Sequence, residues 1–365
     1  MKNLEELNKL VKQKYETCVY GRLFSTKKCS KEIIKAHSIP RAKILERFSP
    51  ENKHVYSVVD AVNIFELFRN NGKFRNAKKI GISKASVFKG LCKHHDQLLF
   101  PVSDQLNLQE FESESKKQAL KEYALRTLLR ETYAKISTIK QIINLTSKGI
   151  IRTNPVIEPF ISGVITGNIS GIRDLEREIR TAIEAIQSRK KYYHVVEIKL
   201  LKYLPIIWNT TFSPLYNPFS LKQRTFDPKG NEWPKVYFIG LSDKVEGLTR
   251  IFLFTLKKDK SFIEKFFLPF KEELKKSTNN PDFLINFLTK YAILYGDNIY
   301  FHPDYWENLE NVKKTTIFSL FERGAQPWKF YDKDFFRGIQ LCKDATNKIL
   351  TLEKPTKLYL TEYFA

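Results

Sequence analysis

"ASVFKGLCKHHDQLLF", residues 85–100, reads as a strand that runs into a short helix, with a cysteine at the junction and two histidines just beyond it. Pro101 stops the helix, because it cannot donate a helical hydrogen bond. Cys92 and His95 stand in C-x-x-H spacing, compact enough for both side chains to reach one ion. Zinc takes four thiolate or imidazole ligands in a tetrahedron, usually two from each of two separated segments. Upstream, Cys18 and Cys29 supply the second pair. Cys18, Cys29 and Cys92 fall in the first quarter of the chain, and Cys342 stands alone. Four cysteines in 365 residues make no disulfide scaffold, and their clustering points to metal binding in a reducing cytoplasm. The competing reading of the same thiols is burial as small apolar side chains.

The other half of the first hundred residues is "CSKEIIKAHSIPRAKIL", residues 29–45. Its short β-branched run reads as a strand that Pro40 ends, and it carries His37. Two polar residues are left over once the zinc ligands are assigned. One is His37. The other is Asp96, which follows His95 directly and so projects to a different side of its helix.

The run "C…CSKEIIKAHSIPRAKIL…HVYS…IGISKASVFKGLCKHHDQLLFPV" resembles the HNH, or ββα-metal, nucleases. It is most similar to a bacterial subfamily with an AHxI strand and a GFCxxHDxxLF helix. The resemblance covers residues 18 to 100 and nothing beyond. It implies a small zinc-stabilised ββα-metal module held by Cys18, Cys29, Cys92 and His95. It implies that His37 is the catalytic base that activates water, with Ser86 near the position that orients the base. Asp96 would hold a catalytic Mg2+ or Mn2+. A neutral imidazole is a suitable base near pH 7, and a hard carboxylate suits either cation, which is what phosphodiester hydrolysis requires. A setting in anti-phage defence is also implied. Three positions depart from the family pattern. Ala36 stands where a metal-binding Asp or His often precedes the base, Ser86 or Lys84 where an Asn often orients it, and Phe100 where a further ligand often follows. These departures keep a second function class open: the same fold, catalytically inactive, holding nucleic acid or a protein partner.

The net charge of +22 comes from 62 Lys and Arg against 40 Asp and Glu, spread along the chain. Such a field favours a polyanion, most simply a nucleic acid, DNA ahead of RNA. Drift toward lysine in composition is the competing explanation. Lys78, Lys79, Lys84 and Lys89 flank the second strand of the module and are the candidate phosphate contacts. The N-terminal "MKNLEELNKLVKQKYE" is a charged amphipathic helix unlike a secretory signal, and no run of eighteen apolar residues exists. The expected location is therefore cytoplasmic with no membrane partner; homo-oligomerisation is left open.

Beyond residue 110 the periodicity changes. Residues 111–190 read as long amphipathic helices, with the Pro- and Gly-punctuated stretch 149–171 as a connection. Residues 191–365 read as an α+β recognition or sensing domain. Its strands lie at "YYHVVEIKL", "PIIWNTTF", "KVYFIGLS" and "RIFLFTL", and helices follow at "SFIEKFFLPFKEEL" and "PDFLINFLTKYAILYG". The expected class is α+β: a nuclease-like module over 1–110, the helical segment, then an antiparallel sheet.

Overall fold

A computed structural model of the chain describes residues 15–24, 29–30, 32–58, 77–112, 114–149, 157–188, 190–213, 234–261, 282–296, 298–324, 350 and 358–364. In chain order its elements are α1 (Val19–Phe24), β1 (Ile33–His37), β2 (His54–Ser57), β3 (Lys78–Gly81), β4 (Val87–Cys92), α2 (Lys93–Leu99), α3 (Ser115–Ser147) and α4 (Ile157–Gln187). There follow β5 (Tyr193–Leu200), β6 (Ile206–Phe212), β7 (Val236–Asp243), β8 (Leu248–Leu256), α5 (Asp282–Tyr295), β9 (Ile299–Phe301), α6 (Pro303–Glu307), α7 (Asn311–Gly324) and β10 (Leu358–Phe364). The class is α+β with antiparallel sheets. No described helix is long and apolar enough to cross a membrane. The expected helices at the N-terminus and at "SFIEKFFLPFKEEL" lie almost wholly outside the described residues.

The chain forms two compact units, each discontinuous in sequence. The first takes Met1–Ser38, Ser86–Gln105 and Ser115–Arg189. The second takes Ile39–Ala85, Leu106–Glu114 and Lys190–Ala365. These units cut across the continuous segments 1–110, 111–190 and 191–365 expected from the sequence. The cause is strand pairing: β2 pairs with β9, Tyr56 opposite Phe301, which draws the loop between the module's two strands into the second unit.

In the first unit β1 and β4 form an antiparallel pair, from Ile33 opposite Cys92 to His37 opposite Val87, with an irregularity between Ile34 and Ala36. β4 runs directly into α2 through Cys92, whose backbone is still extended. Behind the pair, α3 buries Leu120, Ala124, Leu125 and Leu128, while α4 buries Leu175, Ile179, Ala182 and Ala185. On α4 the spacings of three and four residues make one apolar face, whereas α3 is buried without a break from Ala119 to Leu129. The Phe88 and Tyr133 rings, 5.9 Å apart, join strand to helix.

The expected connection over 149–171 is corrected from Ile157 onward, where α4 has already begun. Pro159 sits in the first turn, where backbone N–H groups have no helical acceptor and a missing one costs nothing. Gly163, Gly167 and Gly171 recur every fourth residue and therefore share one face. Punctuation that reads as a loop is here compatible with a helix.

The second unit is one antiparallel sheet in the order β10-β5-β8-β7-β6-β9-β2-β3. β7 and β8 are buried at every position, so both faces of the sheet are covered. One face holds Ile198, Ile206, Trp208, Phe238 and Leu253 against Leu284, Leu288 and Tyr291 of α5. On the sheet, Arg250 and Glu197 form a buried ion pair, and Arg250 Nε donates to the carbonyl of Leu108 at 2.9 Å.

Candidate metal centre

Cys18, Cys29, Cys92 and His95 converge. One ligand atom from each lies within 4.8 Å of all the others. His95 Nδ1 is 3.2 Å from Cys18 Sγ and 3.3 Å from Cys92 Sγ. In a tetrahedral zinc site with Zn–S near 2.3 Å the sulfurs stand roughly 3.8 Å apart, so this donor set fits such an ion. Three of the donors are delivered by local structure. Cys92 closes β4 and His95 lies one turn into α2, which points both side chains the same way. Cys18 directly precedes α1, and the Gly21 N–H donates to its sulfur at 3.4 Å. The Tyr20 ring packs 4.6 Å from that of His95.

The electrostatics favour a cation. Burial pushes the Cys18 thiol up. Lost hydration, then its thiol neighbours Cys18 and Cys92, push Cys29 up to about 12. At Cys92 burial also acts upward, but N–H donation from His95 and hydrogen bonds from Ser30 outweigh it and bring the thiol down to about 7. Three crowded thiols cannot all ionise without a compensating charge, and a divalent ion supplies it. Burial, then the charge of His94, lowers His95 and keeps its imidazole neutral, the state that ligates.

His37 is not among the four donors. It ends β1 at the far end of the strand pair. Its Nδ1 is 3.4 Å from Ser86 Oγ. Ser86 holds φ at 56°, in the left-handed region that a non-glycine residue seldom adopts. Its carbonyl accepts from both the N–H (2.9 Å) and the hydroxyl (3.0 Å) of Ser38. The residue after His37 therefore clamps the residue that contacts its ring.

Asp96 has a different setting. It is half-buried, and its Oδ1 has no hydrogen-bond partner. Burial raises its carboxyl, the Arg126 cation opposes that rise, and Asp104 adds to it. Arg126 itself is fully buried, grips Asp104 through two bonds of 2.6 and 2.9 Å, and lies 4.0 Å over the Phe100 ring. Among the described residues no second cluster of three His, Cys, Asp or Glu side chains forms.

The candidate phosphate contacts are divided between the two units. Lys78, Lys79 and Lys84 lie in the second unit and Lys89 in the first. Lys79 is paired with Glu307 at 2.8 Å, and Lys89 with Glu16. Sequence reasoning passed over Ser38, placed Gly21 only in a loop, and expected Arg126 to pair along its own helix, where it instead grips Asp104. Only Gly21 carried a signal, the C-x-x-G of "CVYG", where the glycine brings its N–H to sulfur: a Cβ there would stand 2.9 Å from Cys29 Sγ. No protein-family model, curated protein or solved structure matches the chain.

Proposed function

We propose that the chain is a metal-dependent endonuclease of HNH type, with a structural zinc at Cys18, Cys29, Cys92 and His95 and the chemistry at His37. The observation that carries this reading is the antiparallel pair β1–β4 leading into α2, closed by the Cys3His cluster at one end and presenting His37 at the other. Neutral His37 takes the proton from the attacking water. Ser86, whose Oγ lies 3.4 Å from Nδ1, would orient the imidazole. Asp96, through its unpartnered Oδ1, would hold Mg2+ or Mn2+, which when bound would offset charge on the scissile phosphate. The net charge of +22 supports a nucleic acid as substrate. The defence setting rests on the family resemblance alone.

One observation favours the second reading, a binding module without cleavage. Asp96 lies in the field of a fully buried arginine, which already offsets its charge. Full-length protein incubated with supercoiled plasmid and with structured RNA, in Mg2+ or Mn2+, separates the two. Nicking that His37→Ala abolishes supports the nuclease. Retarded mobility in a gel without strand breaks, unchanged by His37→Ala, supports the binding module.

A further inference from the structure

The eight-stranded sheet ends in two edges, β3 and β10, and they are built differently. β3 is four residues long, KKIG, with Lys78 and Lys79 both exposed. Short, lysine-bearing edges resist pairing with other strands. β10 is seven residues long, LYLTEYF, with no Lys, Arg, Pro or Gly and a single charge at Glu362. Its inner edge pairs with β5 along its whole length, from Leu358 opposite Leu200 to Phe364 opposite His194. Among the described residues no strand pairs with its outer edge. Tyr359 is 47% exposed, and Thr361 is exposed. A row of backbone donors and acceptors that no described strand covers is a template for a further strand.

We propose that this strand is β10 of a second copy of the chain, running antiparallel about a two-fold axis at Thr361. The sequence of β10 is complementary to itself in that register. Thr361 meets Thr361, Tyr359 meets Tyr363, Leu358 meets Phe364, and Leu360 meets Glu362. Threonine and aromatic cross-strand pairs are favourable. The one acid of each strand faces leucine, whereas moving the axis to Glu362 would set two like charges directly opposite. A two-fold axis is the symmetry that lets one edge meet itself, and it continues the sheet through both copies. One strand pair is a small contact, so the association is weak and depends on concentration.

Sedimentation equilibrium of the full chain, from about 1 to about 100 μM, tests this proposal. Wild type should show a monomer–dimer equilibrium. Thr361→Lys sets two ammonium groups opposite each other at the axis and should weaken the dimer at least about tenfold, while Thr361→Val should leave it intact. Under mild oxidation Thr361→Cys should give a covalent dimer through the introduced thiol that wild type, with its own four cysteines, does not give. If Thr361→Lys does not fold, the crosslink decides alone. A wild-type monomer throughout the range overturns the proposal. So does a dimer indifferent to Thr361→Lys, or a thiol at position 361 that does not crosslink.

Discussion

The two ends of one strand pair carry different chemistry. At one end Ile33 faces Cys92, and four donors gather around a single point. At the other end His37 faces Val87 and makes its contact with a strained serine. Four steps along a strand at about 3.3 Å each put the ends roughly 13 Å apart. The difference teaches why His37 stands outside the Cys3His cluster: a strand is stiff enough to keep a histidine at one end away from donors gathered at the other. It also separates two kinds of polar residue. The donors at the first end could stabilise the fold by sharing an ion. The second end holds a serine in an unfavourable backbone conformation, a cost of order 1 kcal/mol or more that functional sites often carry.

The largest expected effect belongs to the first end. Cys92→Ser should empty the metal site and, because binding energy is folding energy there, cost ~5 kcal/mol or more, lowering Tm by over about 10 °C. Metal analysis beside a melting curve checks both, and unchanged zinc content would remove Cys92 from the ligand set. Next comes a control in the other unit. Glu197→Leu removes the carboxylate partner of the buried Arg250 and should cost about 3–5 kcal/mol with zinc content unaltered. Zinc loss in that variant would mean the two units are not separable in stability. Gly21→Ala should weaken zinc about 10- to 100-fold by crowding Cys29 and disturbing the N–H to Cys18. Chelator competition measures it, and an affinity equal to wild type would show that the sulfur needs no close approach.

Proton linkage gives a fourth test at the same end. In the metal-free state Cys18 and Cys29 are raised, Cys29 to about 12, so both carry protons at neutral pH. Zinc must displace those protons, so its affinity rises with pH through the neutral range and falls on acidification. Calorimetry in buffers of different ionisation enthalpy reads the protons released, and binding without release would contradict the thiol assignment. The smallest effect on stability belongs to the second end. Ser86→Gly relieves the left-handed strain, so stability should stay level or rise by ~1 kcal/mol at most, read as a level or slightly higher Tm. The loss of the hydroxyl should nonetheless lower any His37-dependent cleavage.

The Cys3His cluster was legible because its residues are locally spaced and rare. Three of four cysteines crowd one quarter of the chain, and C-x-x-H spans one helical turn. Strands β5 to β8 were legible from their aromatic and β-branched runs. Partnerships made at long range were not. Nothing near Tyr56 announces Phe301, and nothing near Asp96 announces Arg126 on another helix. The beginning of α4 was hidden for the opposite reason, since its local signals, Pro159 and three glycines, argue against the helix that packing selects. The backbone angle of Ser86 was likewise out of reach, because serine gives no hint of a positive φ.

That the strand pair keeps structure at one end and chemistry at the other is tested most directly in a single preparation of His37→Ala, assayed for bound zinc and for plasmid cleavage. The expected result is about one zinc per chain, as in wild type, with cleavage reduced by at least about 100-fold. Zinc lost together with cleavage, or cleavage retained with zinc in place, would contradict the division between the two ends.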